Sequence, residues 1–197
     1  MSAPTIDNVV KLLKKFDPNS LEALRLEYPE EADRLRVGIV MGPKASTNLR
    51  LAASAKGLNS AVKTCNSVLP QIRKKLKRAN SIRLISELMT ILAGASVFTV
   101  LATSFPNFVR YTIATVALAG SLLALIATYM GGTFHPTGGS LADAFADLVE
   151  CQVEAKGILQ ELKVLSSEDS TDSSADETIR AGNDLCGRIL RTVNFAV

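Results

Sequence analysis

The residues of this chain whose types suit chemistry are one histidine, three cysteines and a short glycine-lysine-serine run. His135 carries the imidazole whose ordinary pKa lies near physiological pH. A catalytic triad or a metal site needs partners at set positions, and a chain with a single histidine leaves most such constellations incomplete. As a loop residue, His135 offers pH sensing as its one specific role. Cys65, Cys151 and Cys186 are far apart and odd in number. They form no CxxC pair, no metal-ligand spacing and no disulfide framework, and read as reduced thiols of a cytosolic compartment. Gly42-Pro43-Lys44-Ala45-Ser46 has the composition of a phosphate loop. It lacks the GxxxxGK[ST] spacing that lets backbone N–H groups cradle phosphates. The expectation is therefore a protein that is not an enzyme and takes no cofactor or metal.

What remains is the distribution of charge and apolar residues. The net charge of +3 hides a strong polarity. Residues 1–87 carry 16 Lys/Arg against 8 Asp/Glu, while residues 131–197 carry 5 against 11. A basic half suits a membrane surface or a nucleic acid; its place beside an apolar stretch favours the membrane, and no nucleic acid is expected. Between Glu87 and His135 the only charged residue is Arg110.

Leu88–Phe105 is an uncharged run of 18 residues and Tyr111–Met130 one of 20. A hydrocarbon core of about 30 Å takes roughly 20 helical residues. Ser104-Phe105-Pro106-Asn107 supplies the turn between the runs. Neither run shows the polar stripe that a soluble core helix keeps toward solvent. The fold class expected is an all-α membrane protein, with a two-helix transmembrane hairpin continued by cytoplasmic amphipathic helices. Asp7, Lys11, Lys14 and Lys15 interrupt any signal-peptide core, so the hairpin is expected to act as its own insertion signal. The cations Arg73, Lys74, Lys75, Lys77, Arg78 and Arg83 precede the first span. By the positive-inside rule they stay in the cytoplasm, and two spans return the C-terminus to that side. The same cluster is suited to anionic lipid head groups.

The spans hold no ionisable pair for a carrier or pump. They do hold small residues. Ser96, Thr99 and Thr103 place hydroxyls along the first; Ala114, Ala117, Ser121, Ala124 and Thr128 recur at three and four in the second, with Gly120 and Ala124 four apart. Small faces let membrane helices approach closely. The contact is either within the hairpin or between copies around a narrow pore.

Two heptad seams flank the spans: Leu58, Val62, Cys65, Leu69, Ile72 and Leu76 before, and Leu141, Phe145, Leu148, Gln152, Ala155, Leu159 and Leu162 after. Such seams pack helices side by side. Pro70 is expected to kink or end the first helix. Gly131, Gly132, Gly138 and Gly139 in the connector make either a loop or a hinge, and Ser140 with Asp143 is a cap signal for the next helix. The chain then divides into an N-terminal helical appendage (1–45), a basic amphipathic region (46–86), the hairpin (87–131), the hinge and cytoplasmic helix (132–165), an acidic linker (166–177) and a C-terminal helix (178–197). In the appendage Asn19 and Glu22 stand at capping-box spacing. SSEDSTDSSADE at 166–177 has the composition of a disordered linker. The last helix is either a docking element or one more bundle helix.

The order of Gln71–Arg83, the two spans and Leu141–Leu165 resembles the SLATT family of bacterial conflict systems in architecture. That resemblance implies an oligomeric effector that breaches the inner membrane in antiviral or abortive-infection defence, beside a sensor or nucleotide-linked activator protein. The other expectation is a non-conducting anchor or scaffold that presents its cytoplasmic helices to a partner.

Overall fold

The computed structural model describes residues 5–36, 46–102, 106–130, 140–167 and 172–196, with the side chains of 94–102, 110, 130, 167, 172 and 173 left aside. Among the described residues the chain is all-helical, with no strand: α1 (Asp7–Phe16), α2 (Pro18–Glu27), a 3-10 turn (Pro29–Arg34), α3 (Thr47–Ala102), α4 (Asn107–Met130), α5 (Leu141–Ser167) and α6 (Asp172–Ala196). They form two compact units. One comprises Met1–Pro70 with Ala146–Val197; the other is Gln71–Phe145.

In the first unit, α1 buries Val9, Val10, Leu12 and Leu13 and leaves Lys11, Lys14 and Lys15 exposed. That 3.6-residue division lays it on α6 and α2. Helix α2 begins at Pro18, whose fixed φ suits the first helical position. Its cap is Asp17, whose carboxylate accepts from Ser20 N at 3.2 Å. The expected pairing of Asn19 with Glu22 is not used as a cap, and Glu22 binds Arg25 at 2.7 Å instead.

The core of this unit joins α3, α5 and α6. Leu58, Ala61, Cys65 and Val68 of α3, Leu148, Cys151, Ala155 and Leu162 of α5, and Ile179, Leu185, Cys186, Ile189 and Val193 of α6 are buried. Three glycines set the close approaches. A Cβ on Gly57 would stand 2.5 Å from Val9 Cγ1, one on Gly187 2.7 Å from Asn8 Nδ2, and one on Gly182 3.3 Å from Leu58 Cδ1.

The heptad seams fall close to the expected lines, with one systematic shift. Leu58, Cys65, Ile72, Leu141, Leu148, Ala155 and Leu162 are buried, whereas Val62, Leu69, Leu76, Phe145, Gln152 and Leu159 are half-buried. The neighbouring Ala61, Val68, Ala144 and Cys151 take the inner places. At one pair the reason is chemical. Gln152 keeps its amide at the rim, where Nε2 donates to Asn66 Oδ1 at 2.7 Å, while the thiol of Cys151 packs as a small hydrophobe.

Pro70 does not end α3, which continues to Ala102. The proline is exposed and stands where the first unit gives way to the second. Helical structure also reaches into the acidic 166–177 run, since α5 extends to Ser167 and α6 starts at Asp172. At the start of α5 the expected cap is present as a full box. Ser140 Oγ accepts from Asp143 N at 3.1 Å, and Asp143 Oδ2 accepts from Ser140 N at 2.9 Å.

Candidate membrane-facing helix pair

The second unit places two helices against each other and leaves much of their outer surface apolar. Among the described residues, Asn107–Tyr129 of α4 is the segment long and apolar enough to cross a membrane, and only 11% of its 18-residue apolar window is buried. Phe108, Tyr111, Leu118, Leu122, Leu125 and Tyr129 are exposed. On α3, Leu84, Ile85, Leu88, Ile91 and Leu92 are exposed as well. The serine and threonine hydroxyls of α4 are satisfied within the helix. Thr112, Thr115, Ser121 and Thr128 each donate to the carbonyl four residues back, at 2.8–3.0 Å. Such back-bonding removes the demand for water as a partner.

The contact between α3 and α4 centres on Gly120. Ser86 is buried, and its Oγ donates to the Gly120 carbonyl at 2.9 Å. A Cβ on Gly120 would lie 3.2 Å from Thr90 Oγ1 and 3.3 Å from Met89 Cβ. Gly120 is 13 residues from the start of α4, and Ser86 is 16 residues from the end of α3. At 1.5 Å per residue both stand about 20–24 Å from the short connection, so the helices run antiparallel. Seven residues to either side, Ala79 and Ala93 on α3 and Ala127 on α4 are also buried. A strict seven-residue repeat of small inward residues is what close helix pairing requires.

The small residues of the spans divide clearly. Gly120 is buried at the contact, Ala117 and Ala124 are half-buried, and Ala114, Ser121 and Thr128 face outward. The side chains of Ser96 and Thr99, and all of Thr103, lie outside the described residues. So do the connector glycines Gly131, Gly132, Gly138 and Gly139, the histidine His135, and Gly42 to Ala45 of the glycine-lysine-serine run. Arg73, Lys74, Lys75, Lys77, Arg78 and Arg83 are all exposed along α3. Arg83 Nε binds Glu87 Oε1 at 2.9 Å. Ser86 was not selected from the sequence. Its signal is the repeat Ala79, Ser86, Ala93, which the spacing displays but which a polar residue just ahead of Leu88 conceals.

The first unit holds a polar cluster between α5 and α6. Arg188 of α6 binds Asp147 Oδ1 at 3.0 Å and Glu154 Oε2 at 3.0 Å on α5, and Thr192 Oγ1 donates to Asp147 Oδ2 at 2.5 Å. Burial pushes the Asp147 carboxyl up, but the bonds from Thr192 and Arg188 and the arginine's charge outweigh it and hold the group below the usual carboxylate range. This cluster joins α5 to α6, and the thiol of Cys151 also donates to Asp147 Oδ1 at 3.9 Å. The three thiols are all buried. Burial raises Cys65 to about 11 and Cys151 and Cys186 to about 12, so each stays protonated at neutral pH. Among the described residues no cluster of His, Cys, Asp and Glu could hold a metal ion.

The chain matches no family model, no curated protein and no solved structure.

Proposed function

We propose that this chain inserts in a membrane through the antiparallel pair formed by the C-terminal part of α3 and α4, and permeabilises the bilayer as an oligomer. The observation that carries the reading is the exposure of α4. A span-length helix with only 11% of its apolar window buried leaves a contiguous apolar outer surface of the kind that marks a membrane or partner site, and hydrocarbon is a solvent that accepts it. The exposed Tyr111 and Tyr129 are 18 residues apart. That is about 27 Å along a helix, close to the spacing of the two interfaces where tyrosine rings concentrate. The exposed cations from Arg73 to Arg78 then lie at the cytoplasmic face, among anionic head groups. Both chain ends fall on that side. The outward stripe of Ala114, Ser121 and Thr128 gives neighbouring copies a place to approach. By its architectural resemblance to SLATT proteins, the permeabilisation would serve antiviral defence in a bacterial inner membrane, triggered by a sensor protein.

Dye and ion leakage from anionic-lipid liposomes containing the purified chain tests this, with Ser121→Leu as the paired variant. Leakage from the native chain that the leucine abolishes supports an oligomeric breach through the α4 stripe. A second reading, a non-conducting scaffold, draws on the exposed Val149, Val153 and Val164 of α5, an apolar strip suited to a partner. Insertion without leakage, with a partner retained on that strip, would favour it over the effector.

A further inference from the structure

From sequence, Arg83 and Glu87 stand before the first apolar run and outside the span. The register of α3 on α4 moves them. Ser86 Oγ bonds the Gly120 carbonyl, and Gly120 is two residues from Leu118, the middle of Asn107–Tyr129. At 1.5 Å per residue, Glu87 lies within about 5 Å of the level of that middle, and Arg83 within about 10 Å. Lys77 and Arg78 lie about 15 Å from it, at the edge of a hydrocarbon core about 30 Å thick. The ion pair of Arg83 with Glu87, at 2.9 Å, is therefore at hydrocarbon depth. It is also on the outer surface, with 73% and 58% of the two side chains exposed.

The pair is part of a stripe. Asn80, Arg83, Glu87 and Thr90 are spaced three, four and three apart and all are exposed, so they share one face of the helix. Beside it runs the apolar surface of Leu84, Ile85, Leu88, Ile91 and Leu92. The outer surface of α3 is thus split lengthwise, one half fit for lipid and the other for water. Ionised groups at this depth face a bundle interior or a water-filled cavity rather than acyl chains. A second copy can meet the stripe with its own Arg83 and Glu87, because the face carries both signs one turn apart.

We propose that the Asn80–Arg83–Glu87–Thr90 face lines a water-filled passage enclosed by several copies of this chain, and that Arg83 and Glu87 set the charge selectivity of the ions crossing it. The proposal rests on the membrane reading above. Glu87, nearer the middle, forms the ring of carboxylates that admits cations, and Arg83 opposes it from the cytoplasmic side.

Two measurements on the full-length chain in anionic liposomes test this. Spin labels at Thr90→Cys, on the exposed edge of the stripe beside the Gly120 contact, and at Leu88→Cys report the two faces at nearly one depth and leave the ion pair intact. The label at Thr90 should meet a water-soluble nickel complex, and that at Leu88 dissolved oxygen in the acyl chains. Labels that both report lipid overturn the wet face while leaving insertion standing. Labels that both report bulk water overturn the membrane reading itself. In planar bilayers under a KCl gradient, E87Q should lower the cation-over-anion preference several-fold and R83Q should raise it, with E87D restoring the native value. An unchanged reversal potential in conducting variants, or no current from the native chain, overturns the selectivity role.

Discussion

The side-chain oxygen of Asn183 on α6 stands 2.9 Å from the backbone nitrogen of Asn8 at the start of α1, 175 residues away in sequence. The nitrogen of Val9 lies 3.4 Å from the same oxygen. Helix α1 has Ile6 at its cap position and no capping side chain of its own. Its first N–H groups would go unpaired in a buried place, and α6 supplies the acceptor that the local sequence omits.

Asn183 is nearly fully buried, so its loss leaves donors that water reaches poorly. Asn183→Ala should lower stability by about 1–2 kcal/mol. Hydrogen–deuterium exchange in detergent micelles reads this directly, with the α1 amides speeding up by about tenfold or more. Asn183→Asp keeps an acceptor and adds a negative charge at a helix N-terminus, so it should exchange close to the native rate. Equal acceleration in both variants would mean that Asn183 acts through packing, not through its oxygen.

Two helical glycines predict opposite signs. Gly57→Ala places a Cβ 2.5 Å from Val9 Cγ1 and should cost about 1–3 kcal/mol as overpacking. Adding Val9→Ala to it should recover part of that loss, because the clash is with this one side chain. Gly157 has open space around it and sits inside α5, where Gly→Ala should stabilise by about 0.5–1 kcal/mol. Thermal melts of the three variants in one detergent give the comparison; a destabilised Gly157→Ala would contradict the open surroundings.

What the sequence displayed, and what it did not, follows from the range of each interaction. The cap at Ser140 was legible because both partners lie within four residues. The apolar length of α4 was legible because only the absence of charge has to be counted. The seams were legible to within one position, since heptad spacing fixes a stripe but leaves open which of two adjacent residues, Gln152 or Cys151, turns inward. Pro70 reads as a kink or an end because an interior proline costs about 3 kcal/mol in helix formation, a cost that packing on either side of it offsets in a helix 56 residues long. The cap of α1 and the Ser86–Gly120 register each depend on a partner far along the chain, and no local pattern announces either. Arg83 and Glu87 read as lying outside the span for the same reason. Counting from the last charge assumes that two antiparallel helices begin their apolar stretches at one level, and α4 runs longer than that.

The Asp147 cluster gives the first unit a defined acid limit. A carboxyl held below its ordinary 3.8 in the folded state contributes stability that is fully present above that value. The contribution is lost as pH falls from about 4 through the lower folded value, because the unfolded chain takes the proton first. Melting temperature followed from pH 6 to pH 2 should drop in that window, and Asp147→Asn should flatten this part of the drop. The thiols act at the other end. Cys65, Cys151 and Cys186, raised to about 11 and 12 from an ordinary 9.0, keep their protons in the fold while the unfolded chain loses its own. Stability should therefore decline as pH rises above about 9. A thiol-directed reagent at pH 8 should label the native chain slowly and the denatured chain at once.

Gly120 tests whether the α3–α4 pair works as a unit. The space over its Cα is closed by Thr90 Oγ1 at 3.2 Å, Met89 Cβ at 3.3 Å and the Ser86 carbonyl at 3.5 Å. Alanine there demands a shift of a few tenths of an ångström, which rotation of Thr90 and a slight parting of the backbones at Met89 Cβ can give. Gly120→Ala should accordingly keep the pair closed. Leucine needs room that the backbone of α3 occupies, so Gly120→Leu should separate the helices, break the Ser86 bond and lose leakage. Loss of the bond alone is a smaller matter, since interhelical hydrogen bonds in membranes average about 0.6 kcal/mol. Ser86→Ala should therefore leak almost as the native chain does. Fluorescence transfer between labels at the exposed positions Ser81→Cys and Thr128→Cys reads closure independently of leakage. If Gly120→Leu keeps both the short label distance and the leakage, the contact at Gly120 does not hold the pair together, and the depth assigned to Glu87 falls with it.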